Sequence, residues 1–453
     1  MSARRELFIL PLDEGADAGS LVYAPLRPAV ARINDAAADA VRRFLNGADL
    51  RPDERDVIAY LEEHGFFEER EPPASVPAGK PVQVTLFLSD GCNLRCRYCY
   101  AGAAEQRHVM PEEVGRAAID LVCGNAVELG EPSFVVGFHG NGEPFTAFPL
   151  MQGLCTYARE CADRSGVEVR FSIATNGALD EGQRRFLADT FDSINISFDG
   201  LPGFQDRQRP LASGGGSFDV VDGTLRFLEG RGTPYAIRAT ATAQSAPHVD
   251  DILAFVGEHY PSCTMVHVEP LWSCGRCLQS GEEPPDVRDF IESFIRARDL
   301  VERKHGAGEP CPRIYFSSAR DDACTDMFCS VGADGFTITA EGDVTACFEV
   351  GSRDDPRAGR FHYGTYDADR SGFVFDGAKR ASLHRLSVNN MPFCADCFCK
   401  FSCSGDCPAK VLGVREPEEH RGSERCEITR ALAFDHLKRT LRDAERVYGG
   451  EPT

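Results

Sequence analysis

The sequence predicts an α/β fold built on a parallel sheet with its helices outside, and three observations predict it. Short apolar segments alternate with segments of helical periodicity six times between residues 83 and 304. Strands joined through helices in this way become parallel neighbours. Turn-forming runs such as Thr175-Asn176-Gly177 end the candidate strands. Three closely spaced cysteines, Cys92, Cys96 and Cys99, follow the first of these strands directly, and parallel barrels carry their chemistry at that end of the strands.

Residues 1–75 are expected to form a small N-terminal module. Leu7–Leu10, Ser20–Pro25 and Ala29–Asn34 read as strands. Asp35–Phe44 and Asp53–Glu63 carry apolar residues at helical spacing, and His64-Gly65 ends the second helix. Pro72-Pro73 through Pro81 reads as a linker. The α/β unit is placed at 82–306. Its strands are expected at 83–89, 134–139, 168–175, 193–198, 235–242 and 264–271. Its helices are expected at 111–129, 148–164, 181–190, 218–229, 249–259 and 285–304. Residues 307–430 break the alternation and are rich in cysteine. Residues 424–447 read as one terminal helix, which leaves 431–453 as helix and tail.

The length, 453 residues, suffices for two or three domains. The formal charge is −21, from 49 Lys and Arg against 70 Asp and Glu. That balance argues against nucleic acid as the main partner, because phosphate binding needs a basic face. No apolar run approaches the roughly 18 residues of a membrane span. No apolar signal core follows the basic stretch Met1–Arg5. A soluble, cytoplasmic protein with no membrane partner is expected. In a chain of this size without an export signal, 19 cysteines read as metal ligands rather than disulfides.

Cys92-Asn-Leu-Arg-Cys96-Arg-Tyr98-Cys99 has the spacing CxxxCxxC. A cubane [4Fe–4S] cluster usually takes four thiolates, so a run of three leaves one iron open. Open coordination marks a metal site that does chemistry. A zinc knuckle or a set of reduced thiols is the alternative reading. The run closely resembles the cluster motif of the radical S-adenosylmethionine (SAM) superfamily. The resemblance implies an incomplete (β/α)6 barrel and a cluster whose open iron chelates SAM. It also implies cleavage of SAM to a 5′-deoxyadenosyl radical that abstracts a hydrogen atom.

Further segments fit the same resemblance. Asn141-Gly142-Glu143-Pro144 resembles the family's GGEP motif, with Asn141 in place of the first glycine. The resemblance puts Gly142 and Glu143 at the amino group of SAM; an ordinary turn is the alternative. It puts Asn176, Ser197 and Asp199 beside the ribose and the methionyl carboxylate. Asp206 to Arg209 resembles the HDxxR segment of peptide-modifying members, with Gln205 in the histidine position. Arg209 then partners a carboxylate of the cofactor or a structural salt bridge. Tyr98 is expected to stack on adenine, or to be a core tyrosine.

The C-terminal cysteines also form a pattern. Cys329 is followed by Gly342 and Cys347, then by Cys394, Cys397, Cys403, Cys407 and Cys426, with Cys324 ahead of them. The arrangement strongly resembles the SPASM domain, which holds two auxiliary [4Fe–4S] clusters. By resemblance Cys324, Cys329, Cys347 and Cys407 hold the first, and Cys394, Cys397, Cys403 and Cys426 the second. Three [4Fe–4S] clusters and SAM are the cofactors implied. A pair of structural zinc sites is the alternative. Cys399 falls off the spacing and stays unassigned. Cys274 and Cys277 read as free thiols or, with Cys263 or Cys311, as a metal site. Cys123, Cys155 and Cys161 lie on expected helices and read as core residues.

The resemblance implies a maturase that oxidises a ribosomally made peptide by thioether or carbon–carbon crosslinking or by dehydrogenation. Its partners would be a precursor peptide with its leader and a low-potential electron donor of the flavodoxin or ferredoxin type. The N-terminal strands and helices resemble the winged-helix RiPP recognition element, which adds a leader peptide as a strand; a packing cap is the alternative. Sulfatase maturation is a competing branch, but its proposed base, an aspartate directly after the third cysteine of the first auxiliary set, is Phe348 here. A small-molecule dehydrogenase and a non-catalytic, peptide-binding electron carrier are further alternatives. Glu269, in Val-His-Val-Glu269-Pro, is the candidate base or substrate anchor, or else a salt-bridged barrel residue.

Overall fold

A computed structural model describes residues 6–12, 19–27, 29–75, 79–103, 108–320, 323–332 and 334–448. Met1–Arg5 and linker residues 76–78 lie outside the described residues. The N-terminal module is an antiparallel sheet of β1 (Phe8–Pro11), β2 (Ser20–Ala24) and β3 (Ala29–Ile33), in that order, followed by α1 (Asp35–Leu45) and α2 (Pro52–Glu63). Asn34 starts α1 by accepting from the Ala37 N–H at 2.8 Å, which satisfies a donor that the helix cannot. Val22, Ala24, Val41, Ile58, Leu61, Phe66 and Phe67 form a separate small core.

The α/β unit carries β4 (Gln83–Leu86), α3 (Glu112–Leu129), β5 (Ser133–Phe138), α4 (Phe148–Ser165), β6 (Glu168–Thr175), α5 (Glu181–Thr190) and β7 (Ser193–Ser197). It continues with α6 (Pro202–Gln208), α7 (Phe218–Arg231), β8 (Tyr235–Ala241), α8 (Val249–His259) and β9 (Cys263–Pro270). A long helix, Val287–Gly306, closes it. Strands β4 to β9 pair in sequence order and in parallel, as six βα units require. Their outward residues, such as Phe134, Val136, Phe171, Ile194, Ile196, Ile237 and Val266, are buried in one continuous core under the helices.

The sheet does not stop at the barrel. β10 (Arg313–Tyr315) adds in parallel to β9. β11 (Thr337–Ile338) adds in parallel to β4, and β12 (Asp343–Thr345), β13 (His362–Asp367) and β14 (Gly372–Phe375) follow antiparallel. The result is one sheet of 11 strands shared by the α/β unit and the cysteine-rich unit. Pairing also persists past β4, where Phe87 N–H bonds Ile338 O at 2.9 Å. The terminal helix Glu424–Tyr448 packs on Val287–Gly306 through the buried Arg298–Asp435 pair and through Arg439, which bonds Asp299 at 2.7 Å and Glu302 at 2.6 Å. No helix among the described residues is long and apolar enough to cross a membrane.

Candidate functional site

The loop after β4 holds the first thiol set. Burial, then the Glu143 carboxylate, pushes the Cys92 thiol up to about 11, with Cys99 adding to it. Burial pushes Cys96 to about 12, offset in part by Arg209 and reinforced by Cys99 and Cys92. Cys92 and Cys96 so placed ionise only with compensating positive charge, which a metal cluster brings. Among the described residues no three such groups stand close enough for a single ion. Leu94 N–H at 3.4 Å and Asn176 Nδ2 at 3.6 Å also point at the Cys92 sulfur.

The loop after β5 packs directly on the cysteine loop. Glu143 N–H donates to Gly91 O at 2.8 Å. A side chain at Gly142 would lie 2.2 Å from Gly91 O, so only glycine permits this approach. Glu143 is buried and accepts from Thr175 Oγ1 and Asn176 N–H at 2.7 Å each, with Phe145 N–H at 3.3 Å. Burial nonetheless pushes its carboxyl up to about 7. Asn176 also bonds Asn93 Oδ1 at 2.7 Å. Asn141, the departure from the glycine pair, lies against Gly351, where even a Cβ would fall 2.3 Å from its amide nitrogen. That contact ties this loop to the cysteine-rich unit.

Asp199 is the centre of a buried network. It accepts from the Tyr98 hydroxyl at 2.5 Å, Gln208 Nε2 at 2.7 Å and the Thr240 N–H at 3.0 Å. Arg209 adds a two-point pair, Nε at 3.0 Å and Nη2 at 3.1 Å. The Arg209 guanidinium also stands 5.2 Å over the Tyr98 ring. Arg209 is therefore a salt-bridge partner of Asp199, and Tyr98 is anchored at its hydroxyl with one ring face covered. Gln205, in the expected histidine position, bonds the Asp199 N–H at 2.9 Å and Ser217 at 2.8 Å. Ser197 sits half-buried at the end of β7, beside Arg238 of β8.

The C-terminal cysteines gather in two sets. Cys394, Cys397, Cys403 and Cys426 line a cavity of about 190 Å³ with Cys399, Asp406 and His420. A walled space of this kind with four or more thiols fits a metal cluster. Cys399 bonds Cys397 within it, and that bond leads the lowering of Cys397 to about 6. Cys329, Cys347 and Cys407 form the second set, each close enough to Glu349 for its charge to act there. Lys410 faces the same carboxylate at 3.2 Å. Cys324 is not brought to this set: its sulfur faces Pro25 O of the N-terminal module at 3.8 Å.

Glu269 takes the salt-bridged form of the two expected. It accepts from His267 Nε2 at 2.7 Å, Ser317 N–H at 3.1 Å and Arg425 Nη1 at 3.1 Å. Arg425, then His267 and Lys410, hold it well below the usual carboxylate range despite its burial. A carboxylate so held is a poor proton acceptor. The structure also reveals a clamp that spacing did not signal. Arg276, inside Cys274-Gly-Arg-Cys277, donates to Cys96 O at 2.8 Å and to Ala103 O, and its N–H bonds Cys99 O at 2.9 Å. A side chain at Gly275 would strike Cys99 O at 2.3 Å. Cys277 is buried against Tyr98, Leu271 and Cys96.

Known proteins match this arrangement. Residues 86–242 match the Radical SAM superfamily. The cysteine-type anaerobic sulfatase-maturating enzyme of Clostridium perfringens is 24% identical over 278 residues, 57% of this chain and 72% of that enzyme. The solved structure of native anSMEcpe with bound AdoMet and Cp18Cys peptide superposes with a TM-score of 0.63 at 18% identity, covering 80% of this chain and 99% of that one. Streptococcus suis SuiB bound to its precursor peptide SuiA gives a TM-score of 0.54 at 13% identity, over 93% of this chain and 99% of that one. The fold is thus shared well beyond the barrel. With the cysteine loop at the C-terminal end of β4 and the Glu143 loop packed upon it, residues 86–242 form a radical SAM domain, which implies SAM and a [4Fe–4S] cluster as its cofactors.

Proposed function

We propose that this enzyme oxidatively modifies a ribosomally made precursor peptide, by a thioether or carbon–carbon crosslink or by dehydrogenation, and that it holds three [4Fe–4S] clusters. The observation that carries the reading is the thiol-lined cavity at Cys394, Cys397, Cys403 and Cys426, beside the set Cys329, Cys347 and Cys407. Cys92, Cys96 and Cys99 would hold the cluster that works with SAM, and Glu143 and Asn176 would face its methionyl end. When bound, SAM and the reduced cluster supply a 5′-deoxyadenosyl radical that takes a substrate hydrogen, and the auxiliary clusters supply an acceptor for the electron left behind. The chain's own part is to fix the reacting hydrogen and keep water away.

Two further observations support a peptide substrate. The N-terminal module presents a three-stranded sheet whose β1 edge has no strand neighbour among the described residues, a place where a leader peptide can add as a strand. SuiB, of similar fold, was solved with its precursor peptide. A small molecule would have no use for such a module. Sulfatase maturation is the second reading, favoured by the similarity to sulfatase-maturating enzymes. Phe348 counts against it, because its ring stacks on His139 at 5.0 Å where that branch needs a carboxylate. A low-potential electron donor, of flavodoxin or ferredoxin type, and a cytoplasmic location belong to the same proposal.

The deciding experiment is anaerobic incubation of the reconstituted enzyme, SAM and a reductant with the small peptide encoded beside its gene. Loss of two hydrogens per event in the intact peptide mass is expected. An unchanged mass with 5′-deoxyadenosine still formed would remove the oxidative reading. Unchanged turnover after deletion of residues 1–75 would remove leader recognition.

A further inference from the structure

Arg238 lies on β8 where buried and open positions alternate. Tyr235, Ile237, Ala239 and Ala241 are buried, whereas Arg238 is exposed. The register across the sheet runs Ser197, Arg238, His267 on three adjacent strands, so the guanidinium points to the inner face with them. Its charge acts on His139, Tyr100 and His267, which stand around it. None of these is an anion. Two other guanidinium groups nearby are answered by carboxylates: Arg209 by Asp199, and Arg425 by Asp406 and Glu269. Arg238 has neither a side-chain hydrogen bond nor an ion pair among the described residues.

One of the groups around it is also short of a partner. His139 Nδ1 is buried with nothing bonded to it. Burial, followed by the Arg238 charge, lowers this imidazole to about 4, so it stays neutral. Phe348 covers the same ring at 5.0 Å. His267 is committed to Glu269 at 2.7 Å. The inner face thus brings together one planar cation without a side-chain partner, one neutral imidazole with an unbonded buried nitrogen, and an aromatic ring. A guanidinium fork matches a carboxylate at two points, which a neutral or cationic group cannot satisfy.

We propose that Arg238 binds a carboxylate of the substrate, so that the segment acted upon carries an acidic side chain next to the reacting residue; this rests on the peptide reading above. The substrate is favoured over SAM as the source of that carboxylate. Arg238 acts on His139 and His267, on the side covered by Phe348 of the cysteine-rich unit, whereas the guanidinium that acts on Cys96 is Arg209.

The test uses the reconstituted full-length enzyme with SAM, kept anaerobic, and ligand-detected NMR. The probes are acetyl-glutamate amide, acetyl-glutamine amide and glutarate. The glutamate probe should bind at least about tenfold tighter than the glutamine probe, as a charged hydrogen-bonded pair implies. Arg238→Gln should abolish that preference and Arg238→Lys should keep part of it, with SAM affinity changed less than about twofold in both. Equal binding of the glutamate and glutamine probes to the unsubstituted enzyme overturns the proposal, even if Arg238→Gln fails to fold. So does a loss of about tenfold or more in SAM affinity in Arg238→Gln, which would assign the cation to the cofactor's carboxylate. Arg238-dependent binding of glutarate without binding of the glutamate probe would keep the anion site and sink the peptide reading instead.

Discussion

Arg425 donates to Glu269 at 3.1 Å and so joins the end of the sixth barrel strand to the start of the terminal helix. The same guanidinium bonds Asp406 at 2.7 Å and Ser318 at 2.9 Å. Asp406 stands between Cys403 and Cys407 in the chain, and its carboxylate accepts from the Cys407 N–H at 2.7 Å. Arg425 itself precedes Cys426. One buried cation thus fixes the loops that carry three cysteines, drawn from both C-terminal thiol sets.

Replacing Arg425 by methionine would leave buried Asp406 without its counter-charge and half-buried Glu269 with only His267 and Lys410. Breaking such a pair from one side costs on the order of 3–5 kcal/mol. Arg425→Met is expected to lower the denaturant midpoint accordingly, and to reduce the iron retained by the C-terminal unit more than that retained at Cys92, Cys96 and Cys99. An iron content and unfolding midpoint equal to those of the unsubstituted enzyme would mean the network does not organise the ligands.

The same network predicts acid lability. Arg425 leads the lowering of Glu269 and of Asp406, against their burial. A carboxylate whose folded value is depressed adds stability that is present above its unfolded value, around 4. That stability is lost as pH falls through the folded value. The share of the unfolding free energy that this network supplies, read as the difference between the unsubstituted enzyme and Arg425→Met, should therefore hold steady from neutral pH down to the ordinary carboxylate range and fall below it. Urea unfolding of both proteins at a series of pH values measures this directly, and a difference that widens on acidification would contradict the assignment.

Much of this architecture was legible in the sequence because its signals are local. The six barrel strands lie within one or two residues of their expected bounds, save that β4 ends at Leu86 rather than at 89. Each is bounded by turn residues and followed by a periodic helix. The strands of the cysteine-rich unit were not legible. Thr337–Ile338 has two residues and Asp343–Thr345 three, too few to display a two-residue period. Only pairing makes them strands, Thr337–Ile338 with β4 and Asp343–Thr345 with β11 and β13. The thiol runs were readable by spacing, but the orientation of Cys324 and the gathering of Cys399 with Cys397 depend on folding of distant segments. Arg425 and Arg276 gave no signal, because an arginine that clamps a loop looks in sequence like any surface arginine.

The two kinds of thiol set should separate by iron counting. Substituting Cys92, Cys96 and Cys99 together by alanine should remove about four irons and all reductive formation of 5′-deoxyadenosine. Substituting Cys394 and Cys397 together should remove a different set of about four irons, with SAM cleavage retained. Zinc recovered in place of iron from either variant or from the parent protein would refute the cluster assignment.

As the proposed partner of the SAM amino group, Glu143 should set a pH dependence for SAM binding. Burial pushes this carboxyl up to about 7, so near neutrality it is half protonated. The N–H groups of the SAM amino nitrogen, held near it as proposed, donate to the carboxylate and favour its charged form. Below about 7, binding must therefore displace a proton, and affinity should fall by up to about tenfold per pH unit; above it, affinity should level off. Glu143→Gln carries no proton to displace, so it should bind SAM more weakly and with no slope across the same range. It would also keep an acceptor for Thr175 or Asn176, whose bonds to Glu143 measure 2.7 Å, so the loop has reason to stay in place. Equilibrium binding of SAM between pH 5.5 and 8.5, roughly the window around this value, decides it: a flat profile in the unsubstituted enzyme would show that Glu143 does not accept from the SAM amino group.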